Sequence, residues 1–554
     1  MHRALTIPEL LEIIFSSTEE LANARSVLVC KTWSVIALDT LWRDVRGLPR
    51  LFSLLAPVKR SSSFYEFKRP IQQSDWTKFH KAARRVRYLT VTSGALGGKV
   101  FRADRLREVL ATCQTSPILP NLIELTVDTG TVDEFSFSII LLHQSLRRLA
   151  LKIPDQVPPK TVFSKISVRS PRLCYMDLQI STPVSEVEAE LTDMLSKLTN
   201  LKTVVMPRFT ITSSIMTTLS RLPALRTIQS RRFTDLGSED PSIDVQPFSP
   251  ALSEGAFPSL KSLACDSPLC NITSFFVTKF APGNLTSLHV QTPSFDTRRF
   301  FFVCLTALSH TCKQLTNLGL HLTVAGRWPS LDEKFESISL EDVYPVLNFP
   351  YLVSFKLSHY RPLDVSDNDI DRLAKNWPTL ESLDLNCEPV LVTQPNITFA
   401  SFASLARHCP NLAHLALYLD PFPDILPPPL VPFKVLASLD FGRSPIKSAD
   451  HAMLYLSDIF PPSCKIRYGA ACNGVVKHTI VNNAYSAREV RRRQEGWMEV
   501  RDILPLLTRL RCEQRERPMT LEKKIEDLMR RIRALGAAQA RRVISELYSQ
   551  SLER

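Results

Sequence analysis

Residues 368–385 read NDIDRLAKNWPTLESLDL, and two periodicities meet in them. Ile370, Leu373, Ala374 and Trp377 recur at the spacing of one helical face. From Leu380 onward apolar and polar residues alternate, as in a strand with one buried side. A helix and a strand of this size cannot bury their apolar faces alone. They must stack on further copies of themselves.

The copies are present. The pattern of a leucine, two variable residues, an apolar residue, one variable residue and another apolar residue recurs as LIELTV (122–127), LRRLAL (146–151), LCYMDL (173–178) and LKTVVM (201–206). It continues as LKSLAC from Leu260, LTSLHV from Leu285, LTNLGL from Leu315, LVSFKL from Leu352, LESLDL from Leu380, LAHLAL from Leu412 and LASLDF from Leu436. A weaker copy starts at Leu225, and VRYLTV at Val86 reads as the first turn. Neighbouring starts are 24 to 37 residues apart. Between them lie amphipathic segments such as FASLARHCPNL (402–412), with Phe402, Leu405 and Ala406 on one face. A period in this range predicts a leucine-rich-repeat solenoid of the α/β class, with strands on a concave side and helices outside. The alternative is an ordinary α/β domain with leucine-rich strands, which a dozen serial copies disfavour. Three longer intervals, 230–256, 325–349 and the proline-rich 420–433, are expected to emerge as loops.

The bulk numbers fit a globular chain. It has 554 residues, 44% hydrophobic and 22% charged, with a formal net charge of +13. That balance does not by itself require a nucleic-acid partner. No apolar run is long enough to cross a bilayer, and the N-terminus does not read as a secretory signal, so the expectation is a cytoplasmic or nuclear protein without a membrane partner. The twelve cysteines include no C-x-x-C pair. Cys312 and Cys409, each just ahead of a repeat, read as small buried hydrophobes that stay reduced. The N-x-T triplets at Asn271, Asn284 and Asn396 are then chance matches.

Ahead of the repeats, Thr6 and Glu9 read as a capping box for a first helix carrying Leu10, Leu11, Ile14 and Phe15. Residues 18–30 and 33–42 read as two more helices. Three helices in some 45 residues offer too small a core for Trp33, Trp42 and the aliphatic residues around them. The surplus predicts an exposed apolar patch of the kind that marks a protein interface.

This segment resembles an F-box, the adaptor-binding module of Skp–cullin–F-box ubiquitin ligases. The residues that carry the resemblance are Pro8-Glu9-Leu10-Leu11, Ile14-Phe15, Val29-Cys30-Lys31, Trp33, Ala37 and Leu41-Trp42. The match covers residues 5–45, and it departs from the family's usual Leu-Pro pair, whose places Thr6-Ile7 occupy. The resemblance implies that Ile7, Pro8, Leu10, Leu11, Ile14, Phe15, Val29, Cys30, Trp33, Leu41 and Trp42 contact a Skp-type adaptor and, through it, a cullin. Downstream, LFSLLAPV (51–58) and residues 67–91 resemble the linker of F-box proteins expanded in mushroom-forming fungi. Read physically, Asp75 caps a helix whose Trp76, Phe79, Ala83 and Val86 face the first repeat strand and close the end of the array. The expected organisation is an F-box at 1–48, a linker and capping helix at 49–85, the solenoid at 86–470 and basic amphipathic helices at 471–554.

The tail, residues 486–554, holds 17 Arg and Lys against 11 Asp and Glu. Trp497, Val500, Leu504, Leu507 and Leu510 form one helical stripe with a kink expected near Pro505. Leu521, Ile525, Leu528, Ile532 and Leu535 follow a four-three rhythm. The reading is amphipathic helices packed on the last repeat with a solvated basic face. A nuclear signal at Arg491-Arg492-Arg493, or contact of the basic tail with RNA or DNA, is the rival.

No phosphate-binding loop, nucleophile elbow or zinc-binding motif occurs, so no catalytic residue, metal ligand or cofactor is expected and the chain is not read as an enzyme. His289, His321 and His414 read as solvent-facing strand residues. The third residue of each repeat motif gives Thr203, Thr227, Ser262, Ser287, Asn317, Ser354, Ser382, His414 and Ser438, which stacked strands would align into a ladder. Asp384 and Asp440 add negative charge beside it, and Arg148 and Lys152 lie on an earlier, more basic section. Ser354, Ser382, Asp384, His414, Tyr418 and Asp440 are the candidate contacts for an unknown target protein. The plainer alternative is that small polar residues merely suit a curved sheet. The function expected is a ligase substrate receptor. Its rivals are a non-ligase interaction scaffold and a nucleic-acid-associated repeat protein.

Overall fold

A computed structural model of the chain describes residues 3–61, 64–92, 99–113, 115–231, 245–292, 298–322, 336–389, 393–420, 431–469 and 491–513. The chain divides into two compact units, Met1–Val324 and Ala325–Arg554. In both, each repeat motif becomes a strand that begins two residues after its leading apolar residue, as at Glu124, Arg148, Ser354 and Ser382. The strands pair in parallel with their neighbours in sequence. Among the described residues, ten strands form the sheet of the first unit and five that of the second. The fold is therefore an α/β leucine-rich-repeat array.

The motif dictates this packing directly. The second and fourth strand residues are buried and the first and third are half-exposed, at strands Glu124–Asp128, Ser287–Gln291 and Ser382–Leu385 alike. The leading leucines turn fully inward, Leu122, Leu146, Leu380 and Leu412 among them. Successive helices pack side by side as a second layer, for example Pro159–Arg169 on Val184–Lys197 and Asp367–Asn376 on Ala400–His408. Ile370, Leu373, Ala374 and Trp377 are buried, as their spacing requires, and a capping box of Ser366 and Asp369 starts their helix. Cys312 and Cys409 are buried too, donating to the carbonyls of Pro282 and Trp377 at 3.7 and 3.4 Å.

Three helices open the first unit: α1 (Pro8–Ser17), α2 (Glu20–Ser26) and α3 (Lys31–Arg43). Here the expected Thr6–Glu9 capping box gives way to another start. Residues Arg3–Thr6 form a 3-10 turn, the cap position is Ile7 without a capping side chain, and Pro8 opens α1 where its missing N–H costs nothing. The helix α3 runs straight into a short strand, β1 (Asp44–Arg46), which pairs in parallel with β4 (Tyr88–Thr92), the first repeat strand. Gly47 ends β1 at φ +85°, a conformation that suits glycine, and its N–H reaches the Thr90 carbonyl at 2.7 Å.

Between β1 and β4 lie α4 (Leu48–Phe52), β2 (Val58–Arg60), β3 (Phe64–Phe67) and α5 (Gln73–Ala83). With β5 (Val100–Phe101), β2 and β3 make a small second sheet that the sequence reading lacks. Its core is aromatic: Phe52 packs on Phe67, Phe101 and Phe137 with centroids 5.2 to 6.2 Å apart. Asp75 is not the cap of α5 but its third residue, in a capping box with Gln72. Its carboxylate takes a two-pronged bond from Arg69 at 2.7 and 2.8 Å, which holds its pKa down to about 2. Trp76, Phe79, Ala83 and Val86 are buried as expected.

In the second unit the last repeat is followed by an edge strand, Lys465–Arg467, and by a helix over 491–513. That helix continues through Pro505. Its buried stripe is Trp497, Val500, Leu504 and Thr508, so Leu507 is half-buried and Leu510 is exposed rather than joining the stripe. Trp497 stacks on Phe441 at 3.7 Å and donates its indole N–H to the Ser444 carbonyl at 3.0 Å. Residues 232–244, 323–335 and 421–430 of the three long intervals lie outside the described residues, as do Leu521, Ile525, Leu528, Ile532 and Leu535. The described end of the second interval is not the expected loop: Ser339 and Asp342 form a capping box for a helical turn at Leu340–Val343, and a 3-10 helix follows at Tyr344–Asn348. Among the described residues, no helix is long and apolar enough to cross a membrane.

Candidate partner-binding surfaces

The core of the N-terminal three-helix bundle is very small. Leu11, Phe15 and Ala37 are buried, with Leu5, Val27, Trp33 and Ile36 packed against them. The rings of Phe15 and Trp33 meet edge to face at 5.5 Å, and the Trp33 indole N–H reaches the Leu5 carbonyl at 3.0 Å. Asn23, also buried, ties α1 to α2 through the Phe15 carbonyl at 2.8 Å. This corrects two of the expected adaptor contacts. Leu11 and Phe15 face this chain's own interior, because a bundle this size must spend its best-placed apolar residues on itself.

What remains is bare. Ile7, Leu10 and Ile14 follow each other along one stripe of α1, and Ile13 beside them is 62% exposed. Leu21 on α2, Leu28 and Val29 in the turn before α3, and Val35 on α3 are exposed as well, Leu28 at 86%. Of the expected contacts, Ile7, Pro8, Leu10, Ile14 and Val29 are exposed, while Cys30, Trp33, Leu41 and Trp42 are half-buried. Trp42 lies under the Arg50 guanidinium, 5.6 Å from its centroid. Ile13, Leu21, Leu28 and Val35 escape a reading tied to motif positions, although Ile13 and Leu28 each adjoin a residue that it does name.

The joint to the repeats is stiff. Beyond the β1–β4 pairing, the Arg87 N–H bonds the Arg43 carbonyl at 2.9 Å, and Arg85 bonds the Val35 carbonyl at 3.1 Å while pairing with Asp39. Backbone ladder bonds leave little freedom for a hinge there.

The second surface is the half-exposed side of the sheets. The ladder read from the sequence is in register: Thr203, Thr227, Ser262, Ser287 and Asn317 are cross-strand partners in the first unit. Ser354, Ser382, His414 and Ser438 are partners in the second, with Lys465 added at the edge. The His414 ring and the Ser438 hydroxyl share a hydrogen bond of 2.8 Å. The basic section is locally neutralised: Arg148 pairs with Glu124 at 2.8 Å and lies over the Tyr175 ring at 4.1 Å, and Lys152 faces Asp128 at 3.4 Å. Tyr418 is not on this surface. It is buried, its hydroxyl donating to the Thr393 carbonyl and accepting from Arg493 of the tail helix. Burial raises its pKa.

In the second unit a row of Lys356, Asp384, Ala416, Asp440 and Arg467 runs across five strands. Lys356 pairs with Asp384. Asp440 accepts the Gly442 N–H at 2.9 Å, and burial, together with Glu388 and Asp384 nearby, raises its pKa. Burial and the same carboxylates push the Cys387 thiol well above its ordinary range.

No protein-family model matches the sequence, and no curated protein matches it. Among solved structures, the chain is similar to one in the crystal structure of the Rad7 and Elc1 complex in yeast, at TM-score 0.35 and 12% identity over 83% of this chain and 87% of that one. It is similar to an internalin, inlF, of Listeria monocytogenes at TM-score 0.23 and 14% identity, over 56% of this chain and 93% of that one. It is also similar to the leucine-rich repeat-containing protein LegL7 of Legionella pneumophila at TM-score 0.24 and 12% identity, over 52% and 88%.

Proposed function

We propose that this chain is the substrate-recognition subunit of a Skp–cullin–F-box ubiquitin ligase. Its N-terminal helices bind the Skp-type adaptor, and the half-exposed strand face binds a target protein. The observation that carries the reading is the bare apolar face of α1–α3, on a segment whose residues resemble an F-box. Covering a side chain as exposed as Leu28 is worth about 1.5–3 kcal/mol, so a few of them suffice to anchor a partner. The stiff passage from α3 into β1 supports it further, since a receptor works by holding its target at a fixed place beside the transfer chemistry. The gain is one of proximity, with the transfer chemistry supplied by the partner complex.

The test is co-purification of the full chain with a Skp-type adaptor and a cullin. The wild type captures both in stoichiometric amount. The double substitution Leu28→Asp with Val29→Asp, on two exposed side chains, abolishes capture without unfolding the repeats. Adaptor captured without cullin would replace the ligase reading by the scaffold reading. No adaptor capture by the wild type would overturn both.

A further inference from the structure

We propose that Cys387, Glu388 and Asp440 form a binding site for a divalent transition-metal ion of the zinc class. The Cys387 sulfur and one carboxylate oxygen each from Glu388 and Asp440 lie within 4.8 Å of one another. Ligands at about 2.0–2.3 Å from one ion stand only somewhat closer together than that, so small side-chain rotations complete the set. The independent observation is the thiol. Cys387 is only 7% exposed, and among the described hydrogen bonds its sulfur has none, although it points at two carboxylates. Cys312 and Cys409 spend their thiols on backbone carbonyls, whereas Cys265 and Cys464, also buried without a thiol bond, belong to no such trio among the described residues.

The backbone around the trio is held for this purpose. The Cys387 carbonyl accepts the Arg443 N–H at 3.0 Å, and the Arg443 side chain reaches the Pro389 carbonyl at 2.9 Å. Those bonds fix the exit of strand Ser382–Leu385 against the exit of strand Ser438–Asp440. The turn comes so close that only glycine fits at 442: φ is +47°, and a Cβ there would overlap the Cys387 carbonyl. The Gly442 N–H orients one Asp440 oxygen at 2.9 Å and leaves the other for a ligand. Ala416 lies between Asp384 and Asp440 in the cross-strand row, so only a methyl group separates the two carboxylates along it. A sulfur donor favours zinc-class ions over magnesium or calcium. The thiol gives up its proton to solvent on ligation, and a fourth tetrahedral position is left for water.

The experiment strips the full chain with chelator and titrates it with Co2+, whose thiolate complexes absorb in the near ultraviolet, and then with Zn2+ in competition. One equivalent of Co2+ raises the band, Zn2+ removes it, and Cys387→Ser never shows it. Asp440→Asn and Glu388→Gln, each checked for an unchanged circular dichroism spectrum, weaken Co2+ at least roughly tenfold. The proposal is overturned if stoichiometric Co2+ gives no band, if the band survives in Cys387→Ser, or if both carboxylate variants bind Co2+ as the wild type does.

Discussion

Leu11 and Leu28 sit seventeen positions apart in one short bundle and do opposite work. Leu11 is sealed among Phe15 and Ala37, so Leu11→Ala opens a cavity and costs about 2–5 kcal/mol. Leu28 touches mostly solvent, so Leu28→Ala changes stability by less than about 0.5 kcal/mol while weakening adaptor capture. Chemical denaturation of the two variants beside a pull-down separates the roles. Asp75 makes a prediction in pH. Its folded pKa, about 2, lies below the unfolded carboxylate value of roughly 3.9, because Arg69 favours its charged form. The stability it adds is complete above the unfolded value and is lost as pH falls through the folded one. Asp75→Asn flattens the urea midpoint between about pH 4 and pH 2, whereas a midpoint that falls as steeply as the wild type's would remove Asp75 from the acid response.

At the scale of elements, the helix over 491–513 acts as the cover of the last repeats of its unit. Trp497 is fully buried on Phe441, with Val500 and Leu504 behind it. Trp497→Ala costs about 3–5 kcal/mol, read as a lowered thermal midpoint of a fragment or transition assigned to the second unit. An unchanged midpoint would mean that the helix is a passive appendage. The repeats themselves were legible in the amino acids because helical and alternating periods recur together, and a buried leucine, or Val86 in the first turn, lies two residues before each repeat strand. The shorter pieces were not. The strands β1 and Lys465–Arg467 have three residues each, too few to show alternation, and are recruited by the edge already formed. The small sheet of β2, β3 and β5 is held by Phe52 and Phe101, whose meeting depends on the fold rather than on local pattern.

For the whole molecule, the bare apolar surface of the N-terminal helices was half readable. Its position and apolar character follow from the impossibility of burying so many large side chains in so few residues. Which of them turn inward does not follow, since Leu10 and Leu11 differ by one helical step and are exposed and buried respectively. The polar ladder was readable because parallel register repeats the motif position. Tyr418 was misplaced because the tail helix that covers it lies 75 residues further along the chain. The trio of Cys387, Glu388 and Asp440 was invisible in sequence for the same reason: two members follow the strand Ser382–Leu385 and the third ends the strand Ser438–Asp440, with another strand between the two.

The most direct measurement is calorimetric titration of the full chain with a purified Skp-type adaptor at several temperatures. Burial of the bare helical face predicts one-to-one binding with a negative heat-capacity change, weakened at least a hundredfold, or about 2.7 kcal/mol, by Leu28→Asp with Val29→Asp. Absence of binding by the wild type, or equal affinity in the double variant, would contradict the account.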